Sequence, residues 1–220
     1  MTPQEVIALF GEPETLMRHC FLMIAGGSAP APPNGQAAVA TFSVTVTDKE
    51  PMGFTTGASG FFGKKKKRAY VRITKLSGPA KAAPGPTEFN AYYVPMVQTS
   101  DVASGNSHYS LPTAGAPTLM ITSKLSGCTF AVGSDGHGAK LVTHVQPNMS
   151  NKQVAQRTTN LSAAVGQGFQ SENGRFAKRD EYAETATVIG RRTGANWKFF
   201  LQATDYVKGV DVISGVTVVE

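Results

Sequence analysis

Apolar and polar residues alternate between Ala37 and Thr47, with Ala40, Phe42, Val44 and Val46 on one side and Val39, Thr41, Ser43, Thr45 and Thr47 on the other. That period of two predicts an amphipathic β-strand. Further strands are predicted over 68–75 and 88–97, separated by the proline-rich stretch 78–86, with Pro95 making the end of the second an edge or a bulge. Thr185–Arg192 and Trp197–Thr204, joined by Thr193-Gly194-Ala195-Asn196, predict a hairpin, and Val207–Val219 one or two final strands. Thr2-Pro3-Gln4-Glu5 has the form of a capping box with proline at the first helical position, so a short helix is expected through Phe10, ended by Gly11. Leu16, Cys20, Met23 and Ile24 recur at helical spacing and predict a second helix from Glu12 or Pro13 to Ala25, stopped by Gly26-Gly27. Together these helices make an N-terminal helical segment, 1–27. A third helix is predicted over 151–166, and the Ser-, Gly-, Asn- and Pro-rich stretch 99–117 reads as a long surface loop. Strands outnumber helices and do not alternate regularly with them. The expected fold is α+β, a mixed or antiparallel β-sandwich flanked by helices and long loops, in a single domain over 1–220.

The segment with most chemical content is Lys124-Leu125-Ser126-Gly127-Cys128-Thr129-Phe130-Ala131-Val132, followed by a glycine-rich turn and Lys140-Leu141-Val142-Thr143-His144-Val145-Gln146-Pro147. It predicts a β-hairpin with a thiol where it opens and an imidazole where it closes. A loop centred on Gly136 places Cys128 directly opposite His144, on one face and within side-chain reach. A slip of one residue would turn the two to opposite faces. A cysteine attacks carbonyl carbon as thiolate, so a neighbouring imidazole or converging backbone N–H groups are needed to activate it. His144 supplies the first. The backbone of Ser126 and Gly127 supplies the second as part of an oxyanion hole, with Gly127 allowing close approach to a substrate. The bland alternative is a partly buried cysteine and a cross-strand histidine packed for stability. A zinc site from Cys128, Asp135, His137 and His144 is disfavoured because the short spacers typical of zinc ligands are missing.

Composition narrows the class. Of 220 residues, 41% are hydrophobic and 16% charged, enough apolar content for a substantial core. The two cysteines, Cys20 and Cys128, do not form a spaced framework of the extracellular disulfide kind, which suits a free thiol in a reducing compartment. Cys20 reads as a small buried residue. No apolar run has the length of a membrane span, so no membrane partner is expected, and the acidic residues near the start argue against a standard cleaved signal. The formal net charge is +6, and Lys64-Lys65-Lys66-Lys67-Arg68 alone carries five positive charges. That run reads as a solvated loop or as an electrostatic contact for an acidic target.

Leu125-Ser126-Gly127-Cys128 resembles the LSGC signature of the bacterial glutamine-deamidating toxins of the cytotoxic necrotizing factor catalytic-domain superfamily, in which a histidine follows on the next strand, as His144 does here. The likeness is closest to the Burkholderia lethal factor-type toxins, which also place a threonine six residues before the cysteine, where this chain has Thr122. The resemblance covers about 30 residues. It implies Cys128 as nucleophile, His144 as base and later acid, and Thr122 as the residue that holds the histidine. It further implies hydrolysis of a glutamine side-chain amide of a host protein through a thioester, with no metal or other cofactor, by a monomeric effector that is secreted or injected and acts in the host cytoplasm. In this superfamily the targets are a DEAD-box translation-initiation helicase, whose modification blocks translation initiation, or Rho-family GTPases. The loop between the two catalytic positions is longer here, and the N-terminal helical segment has no counterpart.

Two other readings stay open at this level. The same Cys-His apparatus serves a transglutaminase or a protease. From a different class, the 64–68 basic run with Phe61, Phe62 and Tyr70 nearby fits a nucleic-acid-binding module without catalysis, although no RNA or DNA signature accompanies it and nucleic acid is not the expected partner.

Overall fold

Thr2 caps the first helix, α1 (Pro3–Leu9), by the reciprocal bonds its sequence predicts: Glu5 N–H donates to Thr2 Oγ at 3.2 Å, and the Thr2 N–H to Glu5 Oε2 at 2.7 Å. A second helix, α2 (Pro13–His19), starts with proline in its first turn. The computed structural model of the chain describes residues 1–25, 35–47, 69–98, 108–134, 138–146, 171–177, 182–207 and 210–219. The helix predicted over 151–166 and the basic run Lys64–Arg68 lie outside them.

The remaining elements are strands, in chain order β1 (Cys20–Ala25), β2 (Gly35–Gln36), β3 (Ala38–Thr47), β4 (Ala69–Lys75), β5 (Glu88–Val94), β6 (Val97–Gln98), β7 (Tyr109–Leu111), β8 (Leu119–Thr122), β9 (Thr129–Ser134), β10 (Lys140–Gln146), β11 (Ser171–Ala177), β12 (Thr185–Thr193), β13 (Asn196–Val207) and β14 (Val210–Val219). They form an eight-stranded sheet, ordered β1-β4-β3-β5-β8-β12-β13-β14, and a second sheet ordered β11-β9-β10-β7-β2, with β6 also paired to β10. Parallel pairs (β1 with β4, β5 with β8) sit among antiparallel ones. The expected mixed α+β sandwich is therefore the observed fold.

Two apolar clusters show the layering. Between the sheets lie Tyr92, Val94, Met120, Cys128, Phe130, Val132, Val142, Val188, Trp197, Phe199 and Leu201. On the outer face of the large sheet, Phe42, Val44, Ile73, Phe89, Ile121, Ile189 and Phe200 pack against Val6, Phe10, Leu16 and Met17 of the helices. The even positions of β3 (Ala40, Phe42, Val44) enter the second cluster, as the period of two requires. The β12–β13 hairpin turns at Gly194-Ala195, and the φ of +60° at Gly194 suits glycine at the first central position of a tight hairpin turn.

The chain departs from expectation at Cys20, where helix gives way to strand. Cys20–Ala25 pairs in parallel with Ala69–Thr74, and most of its side chains are buried. A short, continuous apolar run suits a buried strand and a buried helix equally, so periodicity cannot separate them. What fixes the strand is distant in sequence. The buried Gln202 side chain donates to Met17 O at 2.6 Å and Cys20 O at 2.7 Å and accepts from Leu22 N–H at 2.9 Å, while Thr187 Oγ donates to Leu22 O. Gln202 thus satisfies carbonyls at the end of α2 and draws β1 back over β12 and β13, curling the large sheet around its outer core. Removing three buried bonds at once leaves Met17, Cys20 and Leu22 unsatisfied. Gln202→Leu is therefore expected to cost on the order of 3 kcal/mol in urea unfolding. A loss well under 1 kcal/mol would show that the contact carries little.

Candidate active site

The Cys128–His144 hairpin forms, but its register differs from the expected one. Val145 pairs with Thr129 and His144 with Phe130, so the ladder is shifted by two residues and Cys128 stands just before β9. A shift of two preserves the face. Phe130, directly across from His144, shares the intersheet core with Cys128 and Val132, which places thiol and imidazole on the same inner side. The error lies in the loop centre, because Gly-rich turns of nearly equal length are hard to distinguish by sequence.

Thr122 ends β8 in the opposite sheet, and the sandwich brings it to His144. Thr122 Oγ lies 2.8 Å from His144 Nδ1 and donates its single hydroxyl proton to Val94 O at 2.7 Å. Since that proton is committed, Oγ can only accept from the ring, and Nδ1 must carry the imidazole proton. Nε2 is then the unprotonated nitrogen. It is fully buried and has no hydrogen-bond partner among the described residues. Burial holds the His144 pKa down at about 4, because a buried imidazolium lacks solvation. At neutral pH the ring is thus uncharged, fixed in one tautomer, with a lone pair available.

Cys128 is 4% exposed. Its sulfur lies 3.9 Å from the Met96 sulfur, and no hydrogen bond joins Sγ to His144 Nε2. Two anchors fix the backbone leading to the thiol. Leu125 exchanges backbone hydrogen bonds with Ala186 of β12, at 2.8 and 3.0 Å, and the Tyr182 hydroxyl donates to Cys128 O. Between them Gly127 takes a φ of +84°, a left-handed conformation that side-chain-bearing residues rarely adopt. Ser126 is exposed there.

Two contributors to this site were not foreseen. Pro95 interrupts the predicted 88–97 strand, and the chain passes there from β5 in one sheet to β6 in the other. That crossing brings Val94 O to Thr122 and Met96 to the thiol. Pro95 was the available signal. Tyr182 has no local signal, since its role is set by a contact 54 residues away. The loop before β8 is held by the second hairpin: Arg192 donates to Thr113 O at 2.7 Å and Trp197 Nε1 to Pro112 O at 2.9 Å.

Cys20, in contrast, is fully buried on the far side of the large sheet. Among the described residues, no group of three or more His, Cys, Asp or Glu side chains is placed to hold a metal ion, and no helix is long and apolar enough to cross a membrane. Asp135 and His137 lie outside those residues. No family model matches the chain, and no curated protein matches it in sequence.

Proposed function

We propose that the chain is a protein-glutamine deamidase in which Cys128 is the nucleophile, His144 the general base and acid, and Thr122 the residue that orients the imidazole. The observation that carries this reading is the buried His144 ring, its Nδ1–H held by Thr122 and its Nε2 lone pair without a hydrogen-bond partner among the described residues, in a sandwich whose inner side also holds Cys128. A buried nitrogen without a partner costs stability, and native structures hold few of them. Deprotonating a thiol is a use that fits its surroundings.

The chemistry follows in two steps. His144 Nε2 takes the thiol proton as Sγ adds to the carboxamide carbon; the resulting oxyanion is met by backbone N–H groups of the Ser126–Cys128 turn, and the imidazolium returns the proton to nitrogen as the C–N bond breaks and ammonia leaves. Water, deprotonated by the same nitrogen, then adds to the thioester carbon, the C–S bond breaks, and glutamate and the thiol are released. The slight exposure of Cys128 and the full burial of His144 favour an amide carried at the tip of an extended side chain. A main-chain amide brings polypeptide on both sides and needs a wider approach. The likeness of Leu125–Cys128 to the toxin signature supports a bacterial effector acting on a host protein.

Incubating host-cell lysate with the wild-type protein and with Cys128→Ala, then mapping glutamines converted to glutamate by mass spectrometry, tests the reading. Sites converted by the wild type alone are expected. Identical maps from the two proteins would refute it.

A further inference from the structure

We infer that Met96 occupies the slot that the substrate glutamine side chain fills during the reaction. The inference rests on the deamidase reading for the identity of that substrate, and on three observations for the slot. Met96 Sδ lies 3.9 Å from Cys128 Sγ, in direct contact with the atom that would attack. Met96 is partly exposed and packs against the core cluster that holds Cys128, whereas Cys128 itself is 4% exposed, so Met96 is a solvent-reaching side chain in contact with the thiol. Its backbone is at the crossing between the sheets, two residues from the carbonyl that anchors Thr122.

Methionine suits this place chemically. Its side chain is unbranched and flexible, and its sulfur is as many bonds from the backbone as the carboxamide carbon of glutamine. The thioether covers the thiol without a strong hydrogen-bond acceptor that would compete with Nε2. A glutamine entering from outside replaces one slender chain with another of similar length. Met96 therefore acts as a cover that yields to side chains of this shape and resists branched or main-chain amides, making it a specificity-determining residue.

The arrangement offers a test that needs no host protein. Met96→Gln puts a carboxamide where the thioether now lies. In the purified full chain, that carboxamide is expected to convert to carboxylate with release of ammonia, as read by mass spectrometry of the peptide containing position 96. Adding Cys128→Ala to the same chain should prevent it. In parallel, Met96→Ala is expected to speed alkylation of Cys128 by a bulky maleimide at least ~10-fold, with Met96→Leu close to wild type. Cys20, fully buried elsewhere, is the internal reference, since general loosening would raise its labelling equally. Accelerated labelling of Cys128 alone, with no conversion in Met96→Gln, would uphold Met96 as the cover and count against the deamidase chemistry. Unchanged labelling of Cys128 in Met96→Ala, together with no conversion in Met96→Gln, would overturn the slot assignment.

Discussion

Cys128→Ala and His144→Gln are each expected to lower turnover of a target glutamine by roughly 10⁴- to 10⁶-fold, and the double variant to lose little more than either alone, because nucleophile and base act as one unit. Thr122→Val should cost about 10²-fold or more by a different route. It keeps the side-chain shape but leaves both Val94 O and the Nδ1–H of His144 unpaired, so the ring loses the bond that fixes its tautomer and orientation. Kinetics on any substrate found by lysate mapping would check the order of these losses. Because Cys128→Ala removes a single buried atom from the intersheet core, its melting temperature should fall by only a few degrees. A Cys128→Ala protein that is folded and retains turnover would refute the nucleophile.

The second large effect concerns acid. The folded-state pKa of His144, about 4, lies below the usual value of 6.5, so between these limits the unfolded chain takes up a proton that the native protein refuses. The stability of the neutral buried ring is fully present above pH 6.5 and is lost as pH falls toward 4. A shift of this size corresponds to about 3 kcal/mol, or on the order of 6 to 12 °C in melting temperature for a chain of this length. Glu88, whose carboxyl the Lys81 ammonium holds below the usual range, adds a loss at lower pH, so the quantity to compare is wild type against His144→Gln. The variant is expected to lack most of the decline between pH 6.5 and 4. Equal slopes in both proteins would place the acid sensitivity elsewhere. On the proposed deamidase reading, a neutral resting ring would activate Cys128 as substrate arrives, without a standing imidazolium.

Much of this architecture was legible because local signals and tertiary demand agree. The capping box at Thr2 and Glu5, the alternation of β3 and the Gly194 turn each specify one conformation with neighbours close in sequence. Where the signals were silent, distant contacts decide. Cys20–Ala25 becomes a strand through pairing with β4 and through Gln202, which lies 180 residues from Leu22. Short strands such as β2 and β7 were not predicted, β7 lying within the stretch 99–117 read as a surface loop, because two or three residues carry no period. At the candidate site, the thiol and the imidazole stand out by residue type, Thr122 enters only through the resemblance, and the inner face of the hairpin followed from parity. The two-residue register shift, the sheet crossing at Pro95 and the contacts of Met96 and Tyr182 depend on how the two sheets stack, which no local pattern encodes.

The most direct test of the poised base is a long-range ¹H–¹⁵N correlation spectrum of the histidine rings across a pH titration, with His144 assigned by comparison with His144→Gln. The ring is expected to be protonated on Nδ1 alone at neutral pH, to remain so well below pH 6.5 and to gain its second proton only near pH 4. A ring protonated on Nε2, or one that titrates at the ordinary histidine value, would contradict it.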